Sequence, residues 1–500
     1  MTEAPHAGLA VNGTPYESVI GIECHVELRT QTKMFCGCRN VFGAEPNSNV
    51  CPTCLGMPGA LPVPNRLALE LLVKAGLAFG ADIPAFSKFD RKNYFYPDMP
   101  KDYQISQYDT PLTQGGLVEF WVRDGTRGRC RLTRIHLEED TGKSSHAGSR
   151  DGRIAGSKHS LVDFNRAGVP LMECVSEPDI RTGPQAVAYL ETLKRTFVAL
   201  GVSDVKMEEG SLRCDVNLSL RPLGSSAYGT KTEIKNMNSF RSVERAIESE
   251  IARQAALLAR GERIVQETRG WDEAAGTTHS MRSKEEAHDY RYFPDPDLSP
   301  IAFAGDDIAR LRGELGILPN ARIERFISDG VPLVQALQLI DTPGLAAYYE
   351  TAATLSGKPQ ATLNFVLGDL SRLANETGIP VHASRVTASA LAELVALVDA
   401  GTINSKTAKD LLGRLWADGG SARTLVESEG LAQVSDPGAI DTVVAEVLAA
   451  NGKTVADYRA GKTKVLGFLV GSVMKQSRGK ANPQLVEERL RAALETTGVS

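Results

Sequence analysis

Long apolar runs are missing from this chain of 500 residues: none approaches the roughly 18 apolar residues that a membrane span needs. The first 15 positions also lack a basic stretch followed by an apolar one, so no secretory signal is expected. A cytoplasmic protein with no membrane partner is expected, led by a disordered segment over residues 1–16. No internal repeat and no low-complexity tract occurs, which excludes a solenoid or fibrous architecture. Excess positive charge is absent too. With 56 Lys and Arg against 61 Asp and Glu, the net charge of −5 excludes a broad non-specific nucleic-acid surface, though not a local basic patch. Cysteine is too sparse for a disulfide scaffold, and the 8 present read as thiols or metal ligands.

What is present is an ordinary globular composition, 42% hydrophobic and 23% charged, at a length that calls for two or three domains. Residues 17–300 are rich in strand signals. "GIECHVEL" (21–28) places Glu23, His25 and Glu27 on one face of a strand and Ile22, Cys24, Val26 and Leu28 on the other. "LRCDVNLSL" (212–220) alternates in the same way, and "TKTEIKN" (230–236) sets Lys231, Glu233 and Lys235 on one side. Residues 117–140 predict a hairpin turning near Asp124-Gly125. Two helices are expected among the strands, over about 184–200 and 239–260. Beyond residue 300 strand patterns fade into Ala- and Leu-rich helical segments. The expected fold class is α+β. An antiparallel-sheet cradle domain (17–300) is followed by an all-helical C-terminal region, divided into a linker subdomain (301–355) and a tail (356–500).

Cys36-x-Cys38 and Cys51-x-x-Cys54, flanking a Gly-, Pro- and Asn-rich loop, have the spacing of a closed structural Zn²⁺ site. Carboxylates recur on the strand faces: Glu138, Glu139 and Asp140; Asp163, Glu173, Glu177 and Asp179; then Asp215 and Glu233. Any one of these reads as a solvated strand face. Together, with Lys143, Arg166, Arg213 and Lys235 among them, they suit Mg²⁺ and nucleotide phosphates. "TGKSS" (141–145) is not a P-loop, because Leu137 stands where that motif needs Gly. Pro97 and Pro100 make the aromatic stretch 86–109 a loop, either a packed one or a substrate-facing gate. Near the C-terminus, Lys475, Arg478 and Lys480 follow an apolar stripe of Val465, Leu469 and Val473. They read as a solvated helix end or an RNA-phosphate contact.

The blocks "GIECHVEL", "SKFDRKNYFYPDMPKDYQISQ", "HLEEDTGK", "DFNRAGVPLMECVSEPDI", "KMEEGSLRCDVNLSLRP" and "GFLVGSVMKQSRGKANPQLVEERLRAAL" resemble the B subunit of aspartyl/glutamyl-tRNA amidotransferase, over about residues 17–497. The resemblance implies ATP-dependent amidation of misacylated Glu-tRNA(Gln) and Asp-tRNA(Asn). The side-chain carboxylate would be phosphorylated by ATP and then take ammonia. The resemblance also implies two partners in a heterotrimer, the glutaminase or A subunit, which supplies the ammonia, and the small C subunit. The absence of a serine-amidase signature and of a Cys-His pair agrees with ammonia made elsewhere.

Carried over by residue, the resemblance assigns Glu23, His25, Glu138, Glu139, Glu173 and Asp215 to the catalytic site. Glu139, Glu173 and Asp215 would hold Mg²⁺, and His25 would position ATP or the migrating phosphoryl group. Lys143, Arg166, Arg213 and Glu233 would bind the nucleotide. Lys92 and Tyr94 would face the ammonia exit or the aminoacyl end, and Lys475, Arg478 and Lys480 would grip tRNA. Glu27 receives no role. Zinc at Cys36, Cys38, Cys51 and Cys54 rests on spacing, not on the resemblance. The archaeal branch of the family, which acts on Glu-tRNA(Gln) alone, is excluded because residues 300–355 leave no room for its insertion. A non-enzymatic RNA-binding zinc protein is the alternative of a different class.

Overall fold

The computed structural model describes residues 9–148, 156–283, 290–433, 437–477 and 481–496. The chain forms two compact units, Met1–Phe326 and Ile327–Ser500, so the boundary falls inside the stretch expected as a linker. In the first unit the strands begin with β1 (Leu9–Val11), β2 (Thr14–Glu27), β3 (Asp90–Asn93), β4 (Tyr103–Ser106) and β5 (Thr113–Gln114). They continue with β6 (Leu117–Trp121), β7 (Arg127–Glu139), β8 (Lys143–Ala147), β9 (His159–Asp163) and β10 (Pro170–Ser176). The last are β11 (Leu212–Pro222), β12 (Thr232–Lys235), β13 (Glu267–Asp272), β14 (Thr277–Ser283) and β15 (Phe293–Pro294).

Ten strands make one sheet in the order β14-β13-β12-β11-β2-β10-β7-β5, with β1 added to β2 and β6 to β7. The pairing is antiparallel, as expected for an α+β cradle, with one correction: β12 and β13 run parallel. A parallel neighbour needs a crossover longer than a turn, and the helix over Phe240–Ala259 supplies it. The expected hairpin is there, closed by Val122 N–H to Thr126 O at 2.8 Å. Two further small sheets, β15-β3-β4 and β8-β9, lie apart from the main one.

Residues 9–16 fall within the expected disordered lead, and the structure corrects this: β1 and the start of β2 form a hairpin. Its turn is Asn12-Gly13, with φ of 48° and 80°. Both positive angles are what a two-residue type I′ turn requires, and Asn-Gly is the dipeptide that tolerates them.

Three helices cover one face of the sheet: α1 (Arg66–Ala78), α2 (Gly183–Ala199) and α3 (Phe240–Ala259). Thr182 and Ser239 cap α2 and α3 by accepting from Gln185 and Ser242 amides, and Pro184 sits in the first turn of α2 where its missing N–H costs nothing. Leu72, Tyr189, Phe197, Val243 and Ile247 from these helices pack on Ile22, Cys24, Val26, Cys174, Val216 and Ile234 from the strands. Period-two alternation therefore sends the intervening polar residues of β2, β10, β11 and β7 to the opposite face.

The second unit is helical throughout its described residues. The helix over Pro319–Ser328 spans the boundary between the units and is separated from that over Leu333–Asp341 by Gly330 and Pro332. The helices over Pro359–Phe365 and Ser371–Thr377 are joined by a π-turn at Val366–Leu370. Leu469 and Val473 of the expected C-terminal stripe are fully buried, packed with Ile440, Val444, Val486 and Leu490. The core of the first unit gives a direct test. Leu218→Ala removes a fully buried side chain from β11, and a loss of about 2–5 kcal/mol is expected in the calorimetric transition of that unit.

Candidate active site

The register of four strands builds the polar face. His25 of β2 stands opposite Glu173 of β10 and Arg213 of β11, while Glu23 stands opposite Asp215. Glu173 in turn stands opposite His136 of β7, and Glu138 of the same strand opposite Leu171. Arg213, His25, Glu173 and His136 thus form a row across four strands, with the other acids one step above or below it.

At the centre, His25 Nε2 lies 3.4 Å from Glu138 Oε1 and 3.6 Å from Glu173 Oε2. His136 Nε2 lies 3.3 Å from the same Glu173 oxygen. Arg134 donates to His136 Nδ1 at 3.3 Å, which leaves Nε2 as the nitrogen that bears hydrogen and donates to Glu173. Burial alone would lower the pKa of His25. The hydrogen bond to Glu173 and the charges of Glu138 and Glu173 outweigh it and push the imidazole up to about 9. Lys92 faces this cluster over the Tyr290 ring, 5.0 Å from its centroid. Burial disfavours its charge, but the nearby Glu138, Tyr292 and Glu173 raise it above the usual lysine range.

A second group flanks the first. Asn217 donates to Glu23 at 2.9 Å, and Lys235 bridges Asp215 and Glu233, the latter at 3.2 Å. Burial first, then Glu173, Asp215 and Glu233, raise the Glu23 carboxyl. On the other flank Arg213 donates to Asp140 at 2.6 Å, and Arg166 lies 3.5 Å from the same carboxylate. Arg166 also donates to the carbonyls of Thr141 and Gly142, at 3.0 and 2.9 Å. Glu27, given no role from sequence, sits beside Asp140; burial and that neighbour push its carboxyl up to about 8.

Not every expected residue joins this face. Glu139 turns to the side opposite Glu138, where its carboxylate takes the Ile105 amide at 2.9 Å and pairs with the buried Lys101. It borders a cavity of about 160 Å³ shared with Phe35, Cys36, Cys54 and Gly168. The expected Mg²⁺ trio of Glu139, Glu173 and Asp215 is therefore not the one that converges. His25, Glu138 and Glu173 are, with their ligand atoms all within 4.8 Å of one another. Lys143 opens β8, exposed and opposite Asp163 of β9. Tyr94 stacks on Tyr96 at 5.8 Å and meets Tyr290 edge-on at 6.5 Å. Lys475 is exposed in the last turn of the helix over Leu466–Gln476, while Arg478 and Lys480 lie outside the described residues. His136 was legible in principle, since it shares a face with Glu138 by the same alternation. Lys101 carried no local signal.

All eight cysteines are free thiols. The Sγ atoms of Cys36, Cys38, Cys51 and Cys54 lie within 4.8 Å of one another, which fits a tetrahedral Zn²⁺ whose sulfur ligands at about 2.3 Å stand about 3.8 Å apart. The Cys54 thiol is pulled down to about 5 by its hydrogen bond with Cys36, against burial and with help from Lys33. At His25, Glu138 and Glu173 the donor set is one imidazole and two carboxylates, which fits a divalent cation that displaces the proton from His25.

The chain is thus a sheet that gathers carboxylates, imidazoles and cationic groups on one face, followed by a helical unit. Residues 18–309 match the family described as the GatB/GatE catalytic domain, and residues 347–494 match the GatB domain. The chain is 50% identical over 480 residues to the B subunit of the aspartyl/glutamyl-tRNA(Asn/Gln) amidotransferase of Carboxydothermus hydrogenoformans, covering 96% of this chain and 99% of that one. The B subunit of the Thermodesulfovibrio yellowstonii enzyme is 50% identical over 474 residues, 95% of this chain and 98% of its own. That of Moorella thermoacetica is 50% identical over 480 residues, 96% of this chain and 100% of its own. The chain belongs to the family of B subunits of the aspartyl/glutamyl-tRNA(Asn/Gln) amidotransferases.

The His25 cluster has a pH signature. A pKa raised from 6.5 to about 9 contributes stability that is complete below about 6.5 and lost as pH rises through about 9. In metal-free protein, Glu173→Gln is expected to bring the His25 titration, followed by NMR, below its wild-type midpoint and to flatten that loss of stability.

Proposed function

We propose that this chain activates and amidates the tRNA-borne side-chain carboxylate in an ATP-dependent, glutamine-using amidotransferase. The substrates are Glu-tRNA(Gln) and Asp-tRNA(Asn). A carboxylate cannot expel oxide, so a carboxylate oxygen attacks the γ-phosphorus of ATP, ADP leaves, and an acyl phosphate forms. Ammonia then attacks the acyl carbon, phosphate leaves, and the new amide sheds a proton. The observation that carries this reading is the convergence of His25, Glu138 and Glu173 on one face, with Lys92 of the neighbouring small sheet facing them, in a chain matched along almost its whole length by its B-subunit relatives.

Each step asks for groups that this face carries. Phosphoryl transfer needs positive charge around the equatorial oxygens and a fixed in-line geometry. Arg213 and Lys235 carry that charge on the main sheet, and Lys92 brings it from β3 of the small neighbouring sheet. Glu138 and Glu173, with His25, would hold the Mg²⁺ that neutralises the nucleotide's phosphates when bound. Glu23, whose proton affinity is raised, would take the proton released as the amide forms. The glutaminase and the small third component complete the heterotrimer, and exposed Lys475 in the tail would contact tRNA phosphate. Zinc in the cysteine knuckle would be structural, since four thiolates leave no open position. Among the described residues no helix is long and apolar enough to cross a membrane, and we place the reaction in the cytoplasm.

The test is ATP-dependent amidation of Glu-tRNA(Gln) and of Asp-tRNA(Asn), in separate arms, by the complex reconstituted with its glutaminase and its small third component. Glu173→Gln and His25→Ala are each expected to lower the rate by about 10²-fold or more. Arg123→Ala, on an exposed ion pair with Glu191, is expected to leave it unchanged. Wild-type rates in both cluster variants would overturn the assignment of the site.

A further inference from the structure

The side chain of Lys33 is wholly buried, at 0% exposure. Its ammonium lies 3.8 Å from Cys54 Sγ and 3.3 Å from the Phe164 carbonyl oxygen. Its stem runs over Gly168, where a Cβ would meet Lys33 Cδ at 3.7 Å and Cys54 Cβ at 3.5 Å. Gly168 has a φ of +83°, a conformation that glycine adopts without cost, and it brings this loop into ordinary contact with the lysine stem. The backbone of Lys33 is also tied to the knuckle, its N–H donating to Cys38 O at 2.9 Å. Met34 N–H reaches Gly168 O at 2.7 Å, in the loop that follows β9.

A buried ammonium needs an acceptor with charge or a strong dipole. The sulfur that faces Lys33 offers that charge only as a thiolate. Zn²⁺ with four thiolates carries two net negative charges, and a protein that buries such a centre gains from a fixed cation against one sulfur. We infer that Lys33 is a positioning residue for the knuckle. It is the built-in countercharge of the zinc–tetrathiolate, donating to Cys54 Sγ and fastening the knuckle to the Phe164–Gly168 loop. The inference rests on the structural zinc reading and adds to it a residue outside the cysteine motif.

The test uses the full-length chain, purified as wild type, Lys33→Met and Lys33→Gln. Metal content is read by mass spectrometry, Zn²⁺ affinity by competition with a chromophoric chelator, and ligand geometry by the Co²⁺ thiolate charge-transfer band. Wild type is expected to retain one Zn²⁺ per chain. Lys33→Met is expected to bind it about 10–100-fold more weakly. Lys33→Gln, which keeps a donor but no charge, is expected to fall between them, with an altered Co²⁺ band in both variants. If Lys33→Met does not fold, Lys33→Gln decides alone. Equal affinity and identical bands in the variants and wild type would overturn the role of Lys33 while leaving the zinc site standing. A wild-type chain that holds no metal would overturn the zinc reading and this inference with it.

Discussion

Everything at the candidate site depends on the register of β2 between β10 and β11. Cys24 is fully buried against the helices because His25 is not, and the same alternation holds for Cys174 beside Glu173 and Cys214 beside Arg213. A slip of one residue in β2 would bury two carboxylates and an imidazole and expose Ile22, Cys24 and Val26. The apolar face against α1, α2 and α3 therefore does more than stabilise the unit. It fixes which atoms of three strands meet on the other side, and at what spacing.

This explains what could be read from the chain and what could not. The polar faces of "GIECHVEL", "HLEEDTGK" and "LRCDVNLSL" were legible because alternation is local. Which of their residues meet is a matter of strand order, and β2 pairs with strands that begin some 140 and 190 residues later. No window of sequence contains that. The adjacent carboxylates of β7 show the limit: Glu138 and Glu139 look equivalent in sequence, yet successive side chains leave a strand on opposite faces. Glu138 enters the cluster with His25, and Glu139 is buried with Lys101. Lys143 was drawn into the site by its nearness to the acids in sequence. The chain turns out into β8 instead, and leaves Arg166 and Arg213 to face Asp140.

The parts that sequence misjudged share a cause. The Asn12-Gly13 hairpin and the parallel β12–β13 pair both depend on connections, a tight turn in one case and a helix in the other. The helical unit was easier, because its buried stripe at Leu469 and Val473 recurs at the spacing of a helix and needs only near neighbours to close it. The cysteine knuckle was easiest of all, since its four thiols lie within one short segment. What that segment does not contain is Phe164, Gly168 and Glu139, the residues that surround it in the fold.

The polar face is charged beyond what it can neutralise on its own. Glu23, Glu27, Glu138, Asp140, Glu173, Asp215 and Glu233 lie on it, against Lys92, Arg166, Arg213, Lys235 and a His25 that holds a proton. Burial, and then repulsion from neighbouring carboxylates, raises Glu23 and Glu27, whereas His25 is raised against its burial by Glu173 and Glu138; in all three the proton bound lessens the negative charge of the face. Such a surface releases those protons when other positive charge arrives. In the proposed reaction a cation held by His25, Glu138 and Glu173 would supply that charge, and Glu23 is then in place to accept the proton released as the amide forms. The crowding of carboxylates on this face and the proton traffic of the proposed reaction then belong to the same residues, held at fixed spacing by the register of the sheet.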